Sequence, residues 1–129
     1  MITRPRRTRQ KEAIVSVLDE ATHPLTAQDI EARAASLVPG IGMATVYRAL
    51  KRLQEEHRVR VVELPGQTPH YESCHKKHHH HFVCRHCEKV FDVDGCVGDL
   101  DQLLPDGFKL EGHEITLFGR CGLCSERAG

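Results

Sequence analysis

The chain has 129 residues, a formal net charge of zero, six cysteines and ten histidines. That length makes one ordinary domain or two very small ones, and either half alone is marginal without a metal or a partner subunit. It holds neither an 18-residue apolar run nor a signal-peptide core, which predicts a cytosolic protein with no membrane span whose thiols bind metal rather than form disulfides.

The zero balance hides a division. Residues 1 to 60 carry eleven Lys/Arg against seven Asp/Glu, and residues 61 to 129 carry seven against eleven. All six cysteines and eight of the ten histidines lie beyond Val62. A basic half without cysteines and an acidic half with nearly all the soft ligands predict two modules, residues 1–66 and 67–129.

The opening "MITRPRRTRQ" is expected to be extended, because Pro5 disfavours helix before it. Ile14, Val17, Leu18 and Ala21 then fall on one helical face. Pro24 ends that helix, Thr26 can N-cap a second, and Ile30, Ala34 and Leu37 form its apolar stripe. After the turn signal "VPGIG", Val46, Ala49, Leu50 and Leu53 mark a third helix, whose opposite face presents Tyr47, Arg48, Lys51 and Arg52. Val59 to Leu64 and His70 to Glu72, on either side of "PGQTP", read as a hairpin. Three helices and a hairpin, with a basic third helix, describe a winged helix-turn-helix that lays the third helix in the DNA major groove. Charge alone would fit an ordinary solvated face; the helix count and the N-terminal arginines favour DNA.

The stretch "GIGMATVYRALKRL" closely resembles the recognition helix of the ferric uptake regulator (Fur) family of bacterial metal-responsive repressors. The resemblance implies DNA contacts from Thr45, Tyr47, Arg48 and Lys51, with Arg6 reaching the minor groove. It also implies a homodimer on a palindromic double-stranded operator.

In the acidic half, Cys84-x-x-Cys87 and Cys121-x-x-Cys124 supply four thiolates, enough to close a tetrahedral structural zinc site with no open position. Thirty-three residues separate the pairs, so the metal would clip the C-terminal tail onto an earlier strand. The same two pairs occur in the dimerisation domain of many Fur-family proteins. The expected fold is therefore α+β, a winged helix-turn-helix followed by a small α/β dimerisation domain with a four-cysteine zinc site.

Between the hairpin and the first CxxC stands "HKKHHHHFVCRHC". If residues 78 to 83 are strand-like, His79 and His81 share one side and His78 and His80 the other, so four adjacent histidines make two pairs, each the nucleus of a different metal site. The resemblance implies that His79 and His81 belong to the sensory site, with Glu72 and Asp92 as further ligands, or Cys74 as in the zinc uptake regulator branch. It implies that His78 and His80 are joined by an acidic residue near Asp99 and by His113. Cys74 with two imidazoles suits zinc, which is favoured; Glu72 and Asp92 suit iron or manganese. Where zinc regulators place a hinge Asp or His, this chain has Arg60, with His57 and Glu63 nearby. Cys96 is expected to be a small buried hydrophobe.

The expected function is a homodimeric, metal-dependent repressor with a structural Zn2+ and a second regulatory divalent metal, zinc ahead of Fe2+ or Mn2+. The alternatives are an iron-, manganese- or peroxide-responsive regulator of the same family, and a zinc-trafficking module. An enzyme is not expected, because neither HExxH nor HxE…PCxxC is found and the CxxC pairs leave no open metal position.

Overall fold

The first helix, α1 (Arg6–Glu20), starts immediately after Pro5 in a computed structural model that describes residues 5–76 and 78–127. Proline suits this position: its φ is preset and the missing N–H would have no helical partner. The expectation of an extended start is therefore wrong for residues 6–10; residues 1–4 lie outside the described residues. Ala13, Ile14, Val17 and Leu18 form the buried face of α1.

A short strand, β1 (Leu25–Thr26), leads into α2 (Ala27–Ala34). Thr26 caps α2 as expected, and Asp29 completes a reciprocal capping box: Thr26 Oγ1 accepts from Asp29 N–H at 3.1 Å, and Asp29 Oδ2 accepts from Thr26 N–H at 3.2 Å. The helix stops at Ala34, so Leu37 falls in the following turn and is 57% exposed rather than part of the apolar stripe.

Helix α3 (Met43–Glu55) buries Val46, Leu50 and Leu53 and leaves Tyr47, Arg48, Lys51 and Arg52 outside. Strands β2 (Val59–Val62) and β3 (His70–Ser73) form the expected hairpin, and β1 adds to its other edge, giving the antiparallel order β1-β3-β2. One apolar cluster joins α1, α2, α3 and this sheet through Ile14, Leu18, Leu25, Ile30, Leu50 and Leu53. Fully burying each such side chain is worth about 1.5–3 kcal/mol.

The chain divides after Lys76, not after residue 66. The reason is hydrogen bonding: β3 lies between β1 and β2 and belongs to the first sheet.

The second unit is a sheet of order β5-β4-β6. Strands β4 (His80–Cys84) and β5 (Val90–Val93) are antiparallel, joined by a turn in which Glu88 takes φ 64° and its N–H donates to Cys84 C=O at 2.8 Å. A long connection holding a 3-10 turn (Leu100–Leu103) returns the chain to β6 (Thr116–Gly119), which pairs parallel to β4 and leads into α4 (Gly122–Arg127). No described helix is long and apolar enough to cross a membrane.

Candidate DNA interface and metal centres

The basic face of α3 is built by helical periodicity. With Val46, Leu50 and Leu53 fixed inward, Tyr47, Arg48, Lys51 and Arg52 must point out, and Tyr47 is 52% exposed. Arg48 Nη2 donates to Thr45 Oγ1 at 3.3 Å, which orients one expected contact residue with another. Thr45, Arg48 and Arg52 face Arg7, Gln10 and Lys11 of α1 across a groove of about 200 Å³. Lys11 donates to both carboxylate oxygens of Glu56, at 2.8 and 2.7 Å, and this hydrogen-bonded ammonium lowers the Glu56 pKa.

Arg6 lines a different hollow, with Arg9 and the segment Leu37–Pro39. The first turn of α1 contains no acidic residue, although the helix dipole favours one there. Arginines that oppose the dipole at an exposed helix start fit a surface that meets phosphates. Arg7 and Arg52 are absent from the expected contact set. Their signal was the four-residue spacing that aligns Arg7 with Lys11 and Arg48 with Arg52.

The four cysteines converge. Cys84 ends β4, Cys87 lies in the β4–β5 turn, and Cys121 and Cys124 come from the start and body of α4. Parallel pairing puts Gly119 opposite Cys84, so Cys121 arrives two residues later at the same end of the sheet. The four sulfurs lie within 4.8 Å of one another, and Cys87 Sγ and Cys121 Sγ are 3.8 Å apart. A regular tetrahedron with Zn–S of about 2.3 Å has edges of about 3.8 Å. All six cysteines are free thiols. Cys84 Sγ accepts from the N–H groups of Cys87 and Cys121, both at 3.4 Å, and the Cys87 N–H is the main reason its pKa falls to about 5. Burial, followed by the neighbouring thiols, pushes Cys124 up to about 12. A thiolate beside a thiol that resists ionisation is a donor set completed by a divalent cation, which favours the ionised form of all four.

Strand alternation divides the histidine run. On one side, His79 Nε2 and His81 Nε2 lie 3.7 and 3.8 Å from Asp92 Oδ1. Asp92 reaches them because His81 and Asp92 are direct partners in the β4–β5 ladder. Glu72, on β3 of the first unit, is 2% exposed and accepts from its cross-strand neighbour Arg60 Nε at 2.7 Å. Cys74, in the turn after β3, is half-buried, and its N–H donates to Arg58 C=O at 2.9 Å.

On the other side, His78, His80, His113 and Cys96 form a second group. Asp99 is not its fourth member. That residue is exposed, with φ 40°, at the start of the 3-10 turn. Cys96, expected as a buried hydrophobe, is instead exposed, with its sulfur 3.1 Å from His113 Nε2 and 3.3 Å from His80 Nε2. The Ile115 N–H donates to His80 Nδ1 at 3.2 Å and aims Nε2 into the group. Burial, then the surrounding imidazoles of His78 and His113, lowers the His80 pKa and keeps the ring neutral, the form that ligates metal.

The sequence model described as "Ferric uptake regulator family" matches residues 3–118. The chain belongs to this family. Fur-family proteins are metal-responsive, DNA-binding transcriptional regulators and not enzymes. The chain is 31% identical over 125 residues to the ferric uptake regulation protein of Campylobacter jejuni, covering 93% of this chain and 80% of that protein. The Fur structure from Helicobacter pylori matches with a TM-score of 0.76 and 26% identity, over 90% of this chain and 79% of that one. FurB of Mycobacterium tuberculosis, a zinc uptake regulator, matches with a TM-score of 0.53 and 29% identity, over 92% of this chain and 95% of that one.

Proposed function

We propose that this Fur-family protein is a cytoplasmic, homodimeric repressor whose binding to a palindromic operator is switched by a divalent metal at His79, His81 and Asp92. The observation that carries this reading is the ladder pairing of His81 with Asp92, which gathers two imidazoles and a carboxylate just after the Lys76 junction. Glu72 and Cys74, at the end of the unit that bears α3, are the proposed further ligands. Arg6, Thr45, Tyr47, Arg48 and Lys51 are the proposed DNA contacts, with Arg7 and Arg52 added to them. The four-cysteine centre holds structural zinc and does not exchange.

Swinging a two-state equilibrium from mostly inactive to mostly active takes about 5.5 kcal/mol of differential metal affinity. A metal that binds one of the two states more tightly than the other supplies the required coupling.

Zinc is the proposed signal, because Cys74 would add a soft thiolate to two imidazoles, a donor type that suits zinc, and the similarity to a zinc uptake regulator supports it. A second reading, iron or manganese, is favoured by Asp92, whose oxygen faces both rings. The Helicobacter pylori relative is described as having three functional metal-binding sites, as many as the ligand groups proposed for this chain.

The test is His81→Ala. The variant should lose metal-dependent operator binding while keeping its chelation-resistant zinc and its dimeric state, measured by DNA binding, elemental analysis and sedimentation. Loss of the resistant zinc as well would overturn the assignment of separate structural and sensory sites. Readdition of each metal to chelated wild-type protein distinguishes zinc from iron and manganese.

A further inference from the structure

Among the described residues, Glu72 is the one fully buried acid. Its Oε1 accepts from Arg60 Nε–H at 2.7 Å, and the two residues are direct partners in the β2–β3 ladder. The pair is lopsided: the Arg60 side chain is 45% exposed and the Glu72 side chain 2%. Glu72 sits on the central strand of its sheet and Arg60 on an edge strand. The carboxylate is therefore fixed in a dry place, while the guanidinium can swing into water at little cost. A buried ionised carboxylate needs a cation beside it, and Arg60 supplies one within the first unit. The guanidinium offers only donors and stays protonated, so Arg60 cannot itself ligate a metal.

We propose that Arg60 is a resident counter-cation that the regulatory metal must displace from Glu72, so that Arg60 sets the metal concentration at which the protein responds. The inference rests on the reading of Glu72 as a ligand of that metal. A divalent ion brought to this carboxylate meets the guanidinium at short range, where like charges repel strongly away from bulk water. The ion prevails only above the concentration that offsets the lost Arg60 hydrogen bond. Glu72 keeps a cation in either state, and the released guanidinium is hydrated. The metal-free state is thus held by a bond of its own, and a neutral side chain at position 60 would not hold it.

Zinc titration of the whole chain against a competing chelator tests this, with zinc at the four-cysteine centre verified by elemental analysis. Arg60→Gln keeps a donor for Glu72 but removes the charge. It should bind the regulatory zinc about tenfold more tightly than the wild type, the least that a neighbouring charge moves the protonation of a carboxylate. Arg60→Lys should stay close to the wild type. In the metal-free wild type, nuclear magnetic resonance should find the Arg60 Nε–H protected from solvent exchange, and zinc should abolish that protection. Zinc affinity unchanged or lowered in Arg60→Gln, or protection that survives saturating zinc, overturns the proposal and leaves Arg60 a structural partner of Glu72. The underlying reading has its own check, because adding Glu72→Gln to Arg60→Gln should weaken zinc binding. Equal affinity in the single and double variants would remove Glu72 from the metal site, and the proposal with it.

Discussion

The two units are built on different physical principles. Among the described residues, the buried apolar side chains lie almost all in the first unit; the second contributes only Val83, Val90 and two cysteines of its four-cysteine group, Cys84 and Cys124. The second unit instead exposes Phe91, Val97, Leu103, Phe108, Leu110, Leu117, Phe118 and Leu123. The first unit is a conventional small domain held by burial. The second has too little core of its own and depends on ligand bonds and, as proposed, on a second subunit to cover its apolar surface. The difference leads to an expectation: the first unit should stay folded without metal, and the second should take its order from it.

Removing one thiolate should expose this contrast most sharply. Structural zinc in a small domain contributes on the order of 10 kcal/mol to folding. Cys84→Ser should therefore release the resistant zinc and unfold the second unit. In hydrogen exchange, the amides of Val83 and Val90 should lose protection while those of Ile14 and Leu50 keep it. Protection lost equally in both units would mean that the first does not stand on its own core.

The converse variant acts on burial. Leu50 is fully enclosed between α1, α2 and the first sheet, and Leu50→Ala should destabilise the first unit by about 3 kcal/mol, measured by denaturant unfolding. Zinc content should not change. A drop in zinc would show that the second unit draws its stability from the first.

What the sequence disclosed follows the same line. Helices α1 and α3 and the cap at Thr26 were legible because each rests on local periodicity or on one side chain bonding a backbone three residues away. The CxxC pairs were legible because metal geometry restricts ligand spacing. The division of the histidine run was also readable, since alternation is a property of any strand. The position of the boundary was not, because β3 joins the first sheet through long-range pairing with β1 and β2. Cys96 escaped for the same reason. Its partner His113 lies across a long irregular connection, and only the parallel pairing of β6 with β4 brings that connection back. Nothing periodic in "DVDGCVGDL" announces that contact.

The smallest predicted effect, a pH dependence, tests whether the ligand set of the second unit is prepared for its ion. Cys84, with a pKa lowered to about 5, is already a thiolate at neutral pH and releases no proton when zinc binds. Cys124, pushed up to about 12, carries its proton until the cation displaces it. The metal-free protein thus holds protons that the zinc form does not, so zinc affinity must rise with pH, by about tenfold per pH unit for each proton released. Calorimetric titration in buffers of different ionisation enthalpy counts those protons. Because Cys84 is already ionised, zinc binding to the four thiol groups of the wild-type protein should release fewer than four protons. A count of four would mean that Cys84 is not the anion around which the other three thiols are organised.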